Sequence, residues 1–173
     1  AQWIRPGAAC ALGTFTSNVD MKTGAPAFGT PEYMRATQMT GQMARFYGLP
    51  LRSSGVCAAN VPDGQAMWET SNSLWAAVQS GSNMVYHAAG WLEGGLIASP
   101  EKFLMDCEIL QQIQRYMDPD LVATGVQEIA LDSIKSVGDD GHLFGTAHTQ
   151  ERYSTAFYQP FLSEWNNFEG WQA

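Results

Sequence analysis

Three times along the chain a short apolar run gives way to a turn-rich stretch, and then to a segment whose apolar positions recur every three or four residues. A short apolar run bounded by turn formers reads as a buried strand, and the longer period reads as an amphipathic helix. Residues 9–16 form the first run, and SNVDMKTGAPAFGT follows as a loop dense in turn formers. Thr30 has the chemistry of a helix N-cap, with Pro31 at the first helical position and Glu32 beside the positive helix end. The spacing predicts a helix to about Tyr47, with Tyr33, Ala36, Thr40, Ala44 and Tyr47 on one face and Gly48 and Pro50 closing it. The second unit takes residues 51–57 as strand and AANVPDG as loop. Its helix opens at Pro62 and Asp63 and runs to about Ser80, with Met67, Leu74 and Val78 inward. The third has a strand over residues 83–88, the loop around YHAAGWLEGG, and a helix from Ser99-Pro100-Glu101 to about Met117. Phe103, Leu110, Ile113 and Met117 share its stripe. A further helix is expected from Thr124, where Thr124 and Gln127 fit a capping box, with Val126, Ile129, Ala130, Ile134 and Val137 buried. A loop with a short helix follows over 138–160, and FLSEWNNFEGW reads as a terminal helix.

Strand, loop and helix repeated in this order imply an α/β fold of parallel strands with helical crossovers. The strand-to-helix loops are long, whereas the returns are only GLP and GSN. That asymmetry is expected of a fold whose ligands sit beyond the C-terminal ends of its strands. The reading is a partial (β/α) TIM barrel of about three to four βα units. A complete barrel needs eight units in typically about 250 residues. Residues 1–173 are therefore expected to be one C-terminal portion of a longer chain, and the missing initiator Met agrees. The open strand edges left by so few units predict association between copies.

Charge narrows the function. The net charge is −8 and no Lys/Arg cluster offsets it, which argues against nucleic acid and against an anionic membrane surface. No apolar run approaches the roughly 18 residues of a membrane helix, and none reads as a signal peptide. Cys10, Cys57 and Cys107 are isolated and odd in number, so a disulfide framework is not expected and a cytoplasmic setting is.

Candidate chemistry gathers on the loop side. His142 and His148 lie six apart without zinc spacing, so no metal is expected, and neither a phosphate-binding loop nor a nucleophile elbow is present. Cys57 has no basic neighbour in sequence to activate it. Asp106 reads as a helix-surface or network acid. What remains is aromatic and acidic: Asp20 on the first loop, Tyr86, His87, Trp91 and Glu93 on the third, and His142, Phe144, His148 and Thr149 later. Aromatic faces attract organic cations, and a nearby carboxylate compensates their charge. Glycines around Trp91 and Glu93 would let a ligand approach the backbone. The assignment is Tyr86, Trp91 and Phe144 as cation-facing aromatics, Asp20 as a further substrate-binding acid, and Glu93 and His148 as catalytic polar groups. The competing reading of each aromatic is core packing.

The segments DMKTGAPAFGTPE, GLPLRSSG, PDGQA, SPEKFLMDCEIL and GHLFGTAHTQERYSTAFYQP, in this order, resemble the C-terminal part of the trimethylamine methyltransferase family. The resemblance implies a TIM barrel and a methylated amine as methyl donor. It also implies a separate corrinoid (cobalamin) protein whose cobalt accepts the methyl, with no cofactor bound directly by this chain. The trimethylamine branch uses pyrrolysine, in the segment aligned with residues 53–60. Every residue here is standard, so the resemblance points to a quaternary amine such as a betaine, carnitine or choline-like compound. Two other readings stay open: a quaternary-amine binding module without turnover, and a barrel enzyme of another class such as a lyase. Lys22, Lys102 and Lys135 lie outside the strand patterns, which weighs against Schiff-base chemistry.

Overall fold

The computed structural model describes residues 1–119, 129–139 and 141–172. Their contacts divide into two units, Ala1–Leu110 and Gln111–Ala173, each described here by itself. The first unit is built on strands β1 (Leu12–Gly13), β2 (Leu51–Ser54) and β3 (Met84–Tyr86), in spatial order β1-β2-β3. All pairs are parallel, with Leu12 opposite Leu51 and Ser54 opposite Tyr86. Helices α1 (Pro31–Tyr47) and α2 (Gly64–Gln79) make the crossovers. The mixed α/β class and the strand order agree with the sequence reading. Among the described residues the strands form an open sheet of three.

The strands are shorter than expected. Pairing of β1 ends where the Thr14 amide donates to the Arg52 carbonyl at 3.0 Å. The ladder of β2 ends at Gly55, whose amide donates to the Tyr86 carbonyl at 2.9 Å and where a side chain would meet Leu74 at 2.6 Å. The helix starts fall where local chemistry puts them. Thr30 accepts from the Tyr33 amide, Asp63 accepts from the Ala66 amide at 3.1 Å, and left-handed Gly48 closes α1.

Helix phase differs from the predicted stripes. In α1 the buried residues are Tyr33, Thr37, Gly41 and Ala44, whereas Tyr47 is exposed. Gly41 has no side chain because the Ser80 carbonyl oxygen would stand 2.3 Å from its Cβ, so α1 and α2 pack backbone to backbone. In α2 small residues fill the interface, and of the predicted trio only Leu74 is among the fully buried. Beyond β3 the chain forms an unexpected hairpin, β4 (Trp91–Leu92) antiparallel to β5 (Ile97–Ala98), closed by a 3₁₀ turn over Glu93–Gly95. Then α3 (Pro100–Tyr116) begins under a Ser99 cap, the hydroxyl accepting from the Lys102 amide at 3.2 Å. Its buried line is Lys102, Asp106, Ile109 and Ile113, while Phe103 and Met117 face solvent.

The second unit holds α4 (Leu131–Val137), a 3₁₀ turn (Leu143–Gly145), α5 (Ala147–Ala156) and α6 (Phe168–Gln172). Thr124, Val126 and Gln127, the expected start of a helix, lie outside the described residues. A helix continuous through Ala130 is excluded, because Ala130 is left-handed at φ 50°, and Ile129 and Ile134 are exposed rather than buried. The terminal helix covers only Phe168–Gln172, since the chain before it is not helical.

Candidate functional site

The loop after β3 carries the first unit's unusual backbone. Three non-glycine residues among those described have φ in the left-handed region, and two of them, His87 (49°) and Glu93 (48°), bracket Trp91. A residue other than glycine pays a conformational cost there, so such outliers persist only where the surroundings impose them. The surroundings here are a backbone platform. Leu92, 3% exposed, packs with Cys57, Ala59 and Ala66. The Glu93 amide donates to the Ala59 carbonyl at 2.9 Å, and the Gly94 amide donates to that of Cys57 at 2.8 Å. The Cys57 thiol donates to the Trp91 carbonyl at 3.3 Å. Strand alternation turns Trp91 away from the side on which Leu92 is buried, and Glu93 follows as the first residue of the turn.

His87 lies at the centre of the rings. Trp91 meets it edge-on at 5.6 Å between centroids, Phe15 lies at 5.8 Å and Tyr86 at 6.5 Å. Phe15 contacts Phe28 at 4.7 Å, and Phe28 contacts Tyr33 at 5.5 Å. The hairpin turn lies against this row: a Cβ on Gly94 would stand 2.8 Å from the Phe28 ring, and one on Gly95 would stand 3.4 Å from that of His87. Ser54 Oγ and His87 Nδ1 are hydrogen-bonded at 2.9 Å. Burial lowers the His87 pKa, and the Arg52 charge lowers it further, so the ring is neutral near pH 7. Glu93 is half-buried, and among the described residues no donor or cation holds its carboxylate. A neutral row of rings and, two residues beyond Trp91, a carboxylate without a partner among the described residues are the groups that a compact organic cation calls for.

The predicted residues lie on different elements. Trp91 and Glu93 lie two residues apart on one hairpin, Trp91 against the His87 ring and Glu93 at the start of the turn. Tyr86 lies beside His87, but the Arg52 guanidinium stacks over its ring at 4.4 Å, so that face is occupied. Asp20 serves its own turn: its carboxylate accepts from the Lys22 and Thr23 amides and the Thr23 hydroxyl, which hold its pKa low in full exposure. Phe144 and His148 belong to the second unit. Phe144 is exposed, with its ring 5.2 Å from His142, and His148 lies in the first turn of α5, its carbonyl accepting from Arg152. Phe15, Phe28 and Ser54 were not singled out from sequence. Ser54 is legible only through strand register, which sets it opposite Tyr86. Burial raises the Cys57 pKa, which makes it a poor nucleophile. Among the described residues no group of three His, Cys, Asp or Glu could hold a metal, and no helix is long and apolar enough to cross a membrane.

The signature of the trimethylamine methyltransferase (MTTB) family matches residues 1–173. Glycine betaine methyltransferase of Desulfitobacterium hafniense (strain Y51) is 36% identical over 172 residues, which are 99% of this chain and 36% of that protein. Trimethylamine methyltransferase MttB of Methanosarcina barkeri (strain Fusaro / DSM 804) is 30% identical over 174 residues, covering 100% of this chain and 34% of its own length. The chain therefore spans about a third of the length of these relatives.

Proposed function

The chain belongs to the trimethylamine methyltransferase family, and from that premise we propose that it is the amine-binding portion of a barrel methyltransferase that takes a methyl group from a quaternary amine. One observation carries the reading: the His87–Glu93 loop holds two non-glycine residues in left-handed conformations, one a neutral ring and the other a carboxylate with no partner among the described residues. The relatives' names, one for glycine betaine and one for trimethylamine, support a methylated amine. The absence of any non-standard residue favours the quaternary member of that pair. The acceptor in this proposal is the cobalt of a separate corrinoid protein in the cytoplasm, and no residue of this chain is assigned to hold it.

Bond changes define what the site must do. The N–CH₃ bond breaks with its electron pair left on nitrogen, releasing a neutral tertiary amine, while the acceptor supplies the pair for the new bond to carbon. No proton moves, so no general base is required. The Trp91 face and Glu93 strip water from the ammonium and orient one methyl outward. Positive charge leaves nitrogen as the bond breaks, so these contacts favour the bound substrate over the transition state. They therefore serve affinity rather than rate. The assignments of His148, Phe144 and Asp20 take no part in this proposal.

The test is steady-state methyl transfer by the full-length protein to cob(I)alamin, with glycine betaine as donor. Glu93→Gln is expected to raise KM with kcat unchanged or slightly higher, which is the signature of lost ground-state binding. Equal affinity for choline and its uncharged isostere 3,3-dimethylbutan-1-ol in the parent protein would overturn the reading.

A further inference from the structure

Beneath the aromatic loop, a charged pair is buried without an evident catalytic use. Lys102 and Asp106 are 0% and 1% exposed, on successive turns of α3. The Lys102 ammonium donates to the Asp106 carboxylate through Oδ1 and to Thr70 Oγ1 of α2 at 2.8 Å. The other carboxylate oxygen, Oδ2, accepts from the Gly90 amide at 2.9 Å. The Gly90 carbonyl in turn accepts from the Ser99 amide at 2.9 Å, and a Cβ on Gly90 would stand 3.2 Å from that of Phe103. Gly90, left-handed at φ 81°, is thus held at its donor, at its acceptor and along its flank by α3 and its cap. The next residue is Trp91.

A buried ion pair is a poor source of stability, because desolvation of both charges offsets their attraction and apolar replacements are often neutral. Its position gives it another use. We propose that Asp106, oriented by Lys102 and Thr70, is a positioning residue that fixes Gly90 and thereby sets the angle at which Trp91 meets a bound ammonium ion. The proposal rests on the amine-binding reading for its ligand, but not for its geometry. The carboxylate is the part that matters: it is the acceptor for Gly90, and the lysine keeps its other oxygen satisfied.

Two double variants of the full-length protein separate the acceptor from the charge. Lys102→Met with Asp106→Asn removes the ion pair and keeps an oxygen for Gly90. Lys102→Met with Asp106→Leu removes both. Each is labelled with 5-fluorotryptophan, and the Trp91 fluorine resonance is identified by its loss in Trp91→Phe. The Asn variant is expected to keep the parent resonance and to bind tetramethylammonium within about twofold of the parent. The Leu variant is expected to shift or split that resonance and to bind about tenfold more weakly at a similar melting temperature. An unmoved resonance and unchanged affinity in the Leu variant overturn the proposal. Should that variant fail to fold, amide exchange at Gly90 in the parent decides. Protection at the level of the core supports the clamp, and exchange as fast as at exposed hairpin amides overturns it. If the parent binds no tetramethylammonium, the amine reading falls, while the fluorine resonance still tests the positioning.

Discussion

Replacing Glu93 with glycine should make the protein more stable and a worse binder at once. At φ 48° the Glu93 backbone lies where an L-residue pays about 1–2 kcal/mol and glycine does not. The extra freedom of glycine in the unfolded chain returns about 0.5–1 kcal/mol of this, so the expected net gain is about 0.5–1 kcal/mol. Binding moves the other way. A carboxylate about 5 Å from an ammonium ion, at an effective dielectric of about 20, contributes about 3 kcal/mol. Partial exposure of Glu93 reduces that to about 1–2 kcal/mol, or about tenfold in Kd. Glu93→Gln isolates the second effect, because it removes the charge and keeps the backbone cost. Urea denaturation of the full-length parent and both variants reads stability, and calorimetry with glycine betaine reads affinity. The expected pattern is a raised midpoint for the Gly variant alone, with both variants weakened in binding. A Gly variant no more stable than the parent would refute the strain argument, and a Gln variant that binds like the parent would refute the role of the charge.

Further outcomes are expected. Affinity for tetramethylammonium should be flat above about pH 6.5 and fall below it, because protonation of His87, held low by burial and Arg52, puts a like charge beside the ligand. Stability should decline over the same interval, since the unfolded chain takes up that proton first, near 6.5. His87→Gln should flatten the binding profile measured by calorimetry, and a profile as steep as the parent's would count against His87. Gly29→Ala should cost about 2–4 kcal/mol in urea denaturation: φ is +71°, and the new methyl would lie 2.5 Å from Cα and Cβ of Glu69. A cost under 1 kcal/mol would show that α1 and α2 can separate there. Residues 1–173 alone should self-associate through the outer edges of β1 and β3. A monodisperse monomer by light scattering, with a cooperative melt, would refute this.

What sequence made legible was local. Thr30 and Ser99 cap their helices as expected, and Asp63 caps a helix expected to open at Pro62 and Asp63, because a cap is a bond between near neighbours. The succession of strand and helix fixed the parallel order for the same reason. Helix phase was less legible, since the buried line of α3 carries Lys102 and Asp106, and a rule that seeks apolar stripes rotates the helix toward Phe103 and Met117. The 91–98 hairpin escaped notice because strands of two residues are too short to carry a period. Of the candidate site, Trp91 and Glu93 were singled out through their glycines. Tyr86 lost its open face to Arg52, a residue 34 positions earlier in the chain that only strand register brings near. Asp20 was singled out by residue type alone, which does not reveal that its own turn captures its oxygens.

The bonds around Leu92 also bear on how such a loop could change over generations. The Trp91 carbonyl and the Glu93 and Gly94 amides are anchored by main chain and by Cys57, and the one buried side chain between them is Leu92. Replacing residue 91 or 93 leaves that scaffold standing, whereas replacing residue 92 does not. Selection can therefore rewrite the two outward residues one substitution at a time, each intermediate still folded, and ligand preference can drift without a crossing through unfolded chains.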